Sequence, residues 1–131
     1  MRDYAFAFIK TLTESEVNPG VSNQHELNGV KKLENIFGTI PYGQQGLLSF
    51  NATIKIEFDG VAEPISFTWY NARANTPNRH EYRLYYTTNS IVNELKAGDT
   101  LFIGKTQTGM IEAIVFKKTN TITYDWTPFR A

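Results

Sequence analysis

Apolar and polar positions alternate along several runs of this chain, a period of two that belongs to strands with one covered face. Tyr4 to Leu12, with Phe6, Phe8 and Leu12, fits a first strand. The longest alternation sets Leu47, Leu48, Phe50, Ala52, Ile54, Ile56 and Phe58 against Ser49, Asn51, Thr53, Lys55 and Glu57, and predicts a long strand with one wet face. Asp59-Gly60 reads as a hairpin turn, and Pro64 to Tyr70 returns through Ile65, Phe67 and Trp69. Leu84 to Tyr86, Thr100 to Lys105 and Met110 to Lys117 resume the strand pattern, the last two around a turn at Gln107 to Gly109. Thr121 to Trp126 adds a short final strand.

Two segments carry helical spacing instead. Leu27, Val30, Leu33, Ile36 and Phe37 predict a helix of about three turns from His25, with Ser22 or Asn23 as cap and Gly38 as stop. Ile91, Val92 and Leu95 form the apolar face of a shorter helix that starts at Thr88 or Asn89 and is broken by Lys96-Ala97-Gly98-Asp99. Between the first strand and the first helix lies a polar loop, Thr13 to Asn23, with Pro19-Gly20 at its centre. Loops of that length are more often functional than shorter connections. Six to seven strands with two short helices give a mainly β, mostly antiparallel barrel or pseudobarrel.

Composition narrows the partners. A chain of 131 residues suits a single domain, 1–131, with a proper core. Thirteen acidic side chains balance thirteen basic ones, so no overall field holds nucleic acid non-specifically. The split is uneven: residues 1–63 carry eight acidic and five basic side chains, residues 64–131 five and eight, so an anionic partner is expected to meet the second half. The absence of cysteine excludes thiolate metal sites, disulfides and cysteine nucleophiles. The apolar part of the N-terminal ten residues is too short for a signal peptide or membrane span, which gives a cytoplasmic expectation.

The chemistry concentrates in Trp69 to Tyr86, which holds three arginines, four tyrosines and three asparagines. If this segment is extended, Arg79, Glu81 and Arg83 share one face while His80 and Tyr82 share the other. A guanidinium donates as a fork to the two acceptors of guanine, and a carboxylate accepts from the cytosine amino group, so Arg, Glu, Arg in order suits a G·C-rich major groove. The simpler account of the spacing alone is a solvated hairpin in which Glu81 pairs with its arginine neighbours.

Catalytic constellations are missing. There is no His-Glu-x-x-His, Gly-x-Ser-x-Gly, Walker-type or dinucleotide-binding motif. His25 and His80 stand apart, as surface or capping residues. Glu94-Leu95-Lys96 with Asp59 imitates a nuclease string, but Leu95 reads as helix core and Asp59 as a tight turn, which does not support magnesium binding. Tyr4, Phe6 and Phe8 read as core packing and not a base-stacking platform, and Trp69 as core.

The order of strand, long polar loop, helix and hairpin, followed by Trp69-Tyr70-Asn71-Ala72-Arg73 and Arg79-His80-Glu81-Tyr82-Arg83, resembles the N-terminal effector-binding domain of EcoRII-like type IIE restriction endonucleases, the group that includes UbaLAI. Leu95 to Phe102 is similar to a Gly-Asp turn common in that fold. The resemblance implies a plant B3-like DNA-binding pseudobarrel that grips duplex DNA with two arms in the major groove. The N-arm would be Thr11 to Gln24 and the C-arm Arg73 to Arg83. Base-reading residues would be Asn23, Gln24, His25, Arg79, Glu81, Tyr82 and Arg83, and backbone contacts Lys10, Arg73, Asn75, Asn78 and Lys105. Val21, Ser22 and Pro77 depart from the family's glycines and lysine near the arms, and Tyr82 stands where the family has a lysine.

Such domains recognise short sites of the CC(A/T)GG type. In the parent enzymes cleavage belongs to a separate C-terminal nuclease domain, which alone would need Mg2+. The expectation is therefore a DNA-binding domain of prokaryotic restriction-modification that is no enzyme by itself and needs no cofactor. Its partners would be duplex DNA and that nuclease domain, and a single arm pair points to a monomer. The readings from other classes are a small-molecule-binding barrel and a protein-interaction module.

Overall fold

The computed structural model describes residues 4–18, 25–38, 49–71, 81–87, 89–117 and 122–129, with backbone alone at 25, 49–54 and 71. In chain order the elements are β1 (Tyr4–Thr11), α1 (Glu14–Val17), β2 (His25–Leu27), a 3-10 turn (Val30–Leu33), α2 (Glu34–Phe37), β3 (Ser49–Phe58), β4 (Val61–Asn71), β5 (Tyr82–Tyr86), α3 (Ser90–Asn93), β6 (Thr100–Thr106), β7 (Ile111–Phe116) and β8 (Thr127–Pro128). The strands form one curled half-barrel sheet in the order β2-β5-β4-β3-β7-β6-β1-β8. All described pairings are antiparallel except β3 with β7, joined at Lys55–Glu57 and Glu112–Ile114.

The hairpin β3–β4 is the backbone of the sheet. Asp59 (φ 53°) and Gly60 (φ 79°) both adopt the left-handed region, the two-residue turn whose twist matches that of paired strands, and pairing runs from Phe58–Val61 to Ser49–Tyr70. Asn89 starts α3 as predicted, its side chain accepting from the Val92 N–H at 2.8 Å.

The sequence expectations need three corrections. His25 to Leu27 is not helical: it pairs with Tyr86 to Leu84 as an edge strand. Gly29, at φ 66°, turns the chain before Val30, so the helical spacing of Val30, Leu33, Ile36 and Phe37 survives in a shorter helical segment that ends at Gly38. The described strands number eight, and the last is Thr127–Pro128; the strand expected over Thr121 to Trp126 is not formed at its described residues, 122–126. Finally, the polar loop after β1 contains α1, where Glu16 reaches back to accept from Thr13 N–H and Thr13 Oγ1, both at 2.9 Å.

An aromatic stack fills the concave side. Trp69 lies between Phe37 (ring centroids 5.3 Å) and Tyr82 (4.6 Å, 10° between planes), and its Nε1 donates to the Gly38 carbonyl at 3.0 Å. Phe67 packs edge-on to Phe37, and Leu27, Leu33, Ile36, Ile65, Leu84 and Ile103 complete a continuous core. Of the three aromatics of β1 read as core, Phe8 belongs to it, Tyr4 is half-buried against Phe102, and Phe6 is 43 % exposed.

Within this apolar interior sits an ion pair. Lys10 Nζ donates to Glu16 Oε2 at 2.5 Å, with both side chains buried. Glu16 Oε2 also accepts from the Asn28 N–H (2.8 Å), while the Asn28 carbonyl accepts from Lys10 Nζ (3.0 Å) and Trp126 Nε1 (3.1 Å). Tyr86 Oη donates to the Glu16 carbonyl at 2.8 Å, and burial together with the Glu16 charge pushes its phenol well above the ordinary range.

Removing one member of a buried, hydrogen-bonded pair leaves the other charge uncompensated. Lys10→Met and Glu16→Gln should therefore each lower the unfolding free energy by about 3–5 kcal/mol, read as a shift in urea midpoint at constant slope. The Lys10→Met/Glu16→Leu double variant should recover a large part of that loss. Single variants within about 0.5 kcal/mol of the parent would show the pair to be dispensable.

Candidate functional site

The convex face of β2, β5 and β4 carries the polar half of the alternation. In β5, Tyr82, Leu84 and Tyr86 point into the core, so Arg83 and Tyr85 point out, with Glu81 beside them just before the strand. Cross-strand register brings Tyr70 opposite Arg83, Thr68 opposite Tyr85, and Glu26 opposite Tyr85 from the other side. One sheet face thus gathers Glu26, Thr68, Tyr70, Glu81, Arg83 and Tyr85.

Their contacts are specific. Arg83 Nη2 lies 3.4 Å from Glu81 Oε2, with each side chain 43 % exposed, a loose pair that solvent screens. The Tyr70 and Tyr85 rings are stacked, 5.8 Å between centroids and 11° between planes, with hydroxyls 3.4 Å apart. The Arg83 guanidinium is held protonated above its ordinary range, first by the neighbouring Tyr85 side chain and then by the Glu26 carboxylate. The Tyr70 phenol is pushed up to about 12, first by burial and then by its hydrogen bond with Tyr85.

Of the residues that the sequence nominates, Glu81 and Arg83 meet on this face. Two others belong elsewhere. Tyr82, expected to read bases, is buried against Trp69, because its parity in β5 is that of Leu84 and Tyr86. Lys10, expected at the phosphate backbone, is buried and committed to Glu16 and the Asn28 carbonyl. Lys105 lies on β6, separated from β5 in the sheet by β4, β3 and β7. His25 is described by its backbone, paired with Tyr86 at the end of β2 next to the N-arm. Asn23, Gln24, Arg73, Asn75, Asn78 and Arg79 lie outside the described residues, as do most of the C-arm and the tip of the N-arm.

Glu26, Tyr70 and Tyr85 were not nominated. The spacing 81, 83, 85 already extends the outward face to Tyr85, and Tyr70 follows once β4 is paired. Glu26 was concealed by the helical reading of its segment. Among the described residues no helix is long and apolar enough to cross a membrane. No protein-family model matches the chain and no curated protein matches it in sequence. The likeness to EcoRII-like domains therefore rests on the residues quoted for it.

Opposite parity should separate the two neighbours in stability measurements. Tyr82→Ala should cost about 3–5 kcal/mol by opening a cavity beside Trp69. Glu81→Gln should stay within about 0.5 kcal/mol of the parent; equal losses would contradict the assigned faces.

Tyr70 supplies a pH signature. Its folded value is raised above that of the unfolded chain, so its contribution is complete below about pH 10 and is lost as the pH rises from about 10 through about 12. Ultraviolet titration of the phenolates should show one tyrosine ionising near 12 that is missing in Tyr70→Phe. An unchanged titration in that variant would refute the assignment.

Proposed function

We propose that this chain is a sequence-specific duplex-DNA-binding domain, the recognition or effector domain of a type II restriction endonuclease, that reads a short C·G-containing site through two arms in the major groove. The observation that carries the reading is the spacing of the arm roots. The C-arm joins β5 at Tyr82, and the N-arm leads into β2 at His25, which pairs with Tyr86 at the other end of the same strand. At about 3.4 Å per residue these roots stand roughly 14 Å apart, close to the roughly 12 Å width of a major groove.

The chemistry between the roots agrees with that scale. Arg83 and Glu81 project outward side by side at the base of the C-arm, one able to donate to guanine O6 and N7 and the other to accept from cytosine N4. Their mutual contact is loose enough to be exchanged for base contacts. Arg79, Asn23, Gln24 and His25 would add base contacts from the arms, and Arg73, Asn75, Asn78 and Lys105 would hold phosphates. Lys10 and Tyr82 leave the set as structural residues. Cleavage, with its Mg2+, would belong to a separate nuclease domain.

The test is a shift assay on a CC(A/T)GG duplex and a scrambled duplex, at salt between about 50 and 200 mM. The parent should prefer the first duplex and weaken steeply with salt. Arg83→Ala and Glu81→Gln should each lose about 1–3 kcal/mol on the preferred duplex and little on the scrambled one. Parent-like binding by both variants would reject the assignment.

A further inference from the structure

We propose that Glu26 is a specificity-determining residue: at the root of the N-arm its carboxylate accepts from a cytosine amino group, at a base pair other than the one Glu81 reads. The proposal rests on the duplex-DNA reading above and deepens it with a residue that neither the motif nor the arms supply.

Glu26 owes its place to strand parity. Leu27 is buried in the core and pairs with Leu84, so Glu26 and its partner Tyr85 turn to the opposite face, where Glu26 is half-buried. Tyr85 in turn lies opposite Thr68 of β4, which sets the carboxylate in one row with two hydroxyl side chains. Arg83 stands two positions along β5, on the diagonal from Glu26. Such diagonal positions are about 7–8 Å apart, within reach of long side chains. Glu81 lies two positions further, its Oε2 3.4 Å from Arg83 Nη2. The face therefore runs acceptor, donor, acceptor, from Glu26 through Arg83 to Glu81.

That order has a chemical complement. An ionised carboxylate accepts and never donates, whereas cytosine offers an amino N–H in the major groove where thymine offers a carbonyl oxygen. Exchanging a C·G pair for T·A thus replaces a hydrogen bond to Glu26 by a repulsion between acceptors. The two carboxylates serve different pairs. Glu26 is level with Tyr85, and Tyr85 and Glu81 are four positions apart, roughly 14 Å at about 3.4 Å per residue, which exceeds one base-pair step several times over. Arg83 between them donates to the guanine acceptors, so each end of the face selects an amino group and its centre a guanine edge.

Glu26→Gln keeps the shape and an acceptor oxygen but adds a donor, which removes the ground for rejecting thymine. The experiment is the shift assay on a panel: the CC(A/T)GG duplex and each variant of it with one C·G pair changed to T·A. At one pair the parent should favour C·G about tenfold, and Glu26→Gln should reduce that ratio to about twofold, with the remaining ratios and the salt slope unchanged. Glu81→Gln should flatten the ratio at a different pair. A Glu26→Gln profile identical to the parent's overturns the proposal. So does flattening at the same pair in both variants, or a uniform weakening on every duplex, which is what a merely structural residue would give. A parent that prefers no duplex of the panel over a scrambled one overturns the DNA reading and this role with it, whereas a selective parent whose profile survives Glu26→Gln overturns Glu26 alone.

Discussion

The curl of the sheet depends on the Asn28 peptide. Asn28 follows β2, one edge of the sheet, and its carbonyl accepts from Trp126, which precedes β8 at the opposite edge. Lys10, on β1, donates to the same carbonyl, and Glu16, on α1, takes the Asn28 N–H. The Glu16 carboxylate receives four donors, from Lys10, Asn28 and the Thr13 backbone and hydroxyl. Two ions removed from water are costly, and this arrangement offsets the cost by giving the carboxylate a full set of hydrogen bonds and the lysine two acceptors. A greasy pair of similar volume would fill the same space without this directionality. The pair's structural value is that it can be satisfied only when β1, α1 and the end of β2 have come together, and the Asn28 carbonyl that Lys10 shares with Trp126 adds the opposite edge.

The same constraint divides the surfaces. Once the two edges are drawn together, the concave side has to be apolar, and the stack Phe37–Trp69–Tyr82 occupies it. The convex side of β2, β5 and β4 is then free to hold residues that a core could not accept. Strand parity does the sorting: within one five-residue strand, Tyr82, Leu84 and Tyr86 serve the fold while Arg83 and Tyr85 face outward. Because α1 is anchored by Glu16 and β2 is anchored through Asn28, both ends of the N-arm are tied to the core.

Features written in a few adjacent residues were legible in the sequence. The Asp59-Gly60 hairpin, the Gly38 stop and the Asn89 cap each follow from local chemistry, and each is present. β2 and β8 were not legible, because three- and two-residue strands have no measurable period and exist only by virtue of their partners. Lys10 looked like a surface cation for a related reason: its partner Glu16 lies in a stretch that reads as polar loop, and nothing local announces that the two are buried together. Of the candidate site, the parity of Glu81 and Arg83 was readable, but assigning Tyr82 to the same role ignored the period that placed those two. Tyr85 is the residue which that period, carried one step further, would have reached.

Charge sets the terms on which such a face could work. The chain has no net charge, and Glu26 and Glu81 stand among the outward residues of β2 and β5, where they oppose a polyanion at long range. Non-specific attraction is therefore weak at this face, and any stable contact has to come from short-range complementarity. Carboxylates act there as a filter: they penalise a phosphate or an acceptor-bearing base edge and favour an amino group in the same position. Arg83 on β5 and Glu81 just before it are accordingly a donor and an acceptor a few ångströms apart, which matches a pair of neighbouring complementary groups and mismatches a uniform field. On the duplex-DNA reading, this face adds discrimination to that of the base-reading residues in the arms, while the phosphate contacts supply general affinity, so the two properties are separable by mutation.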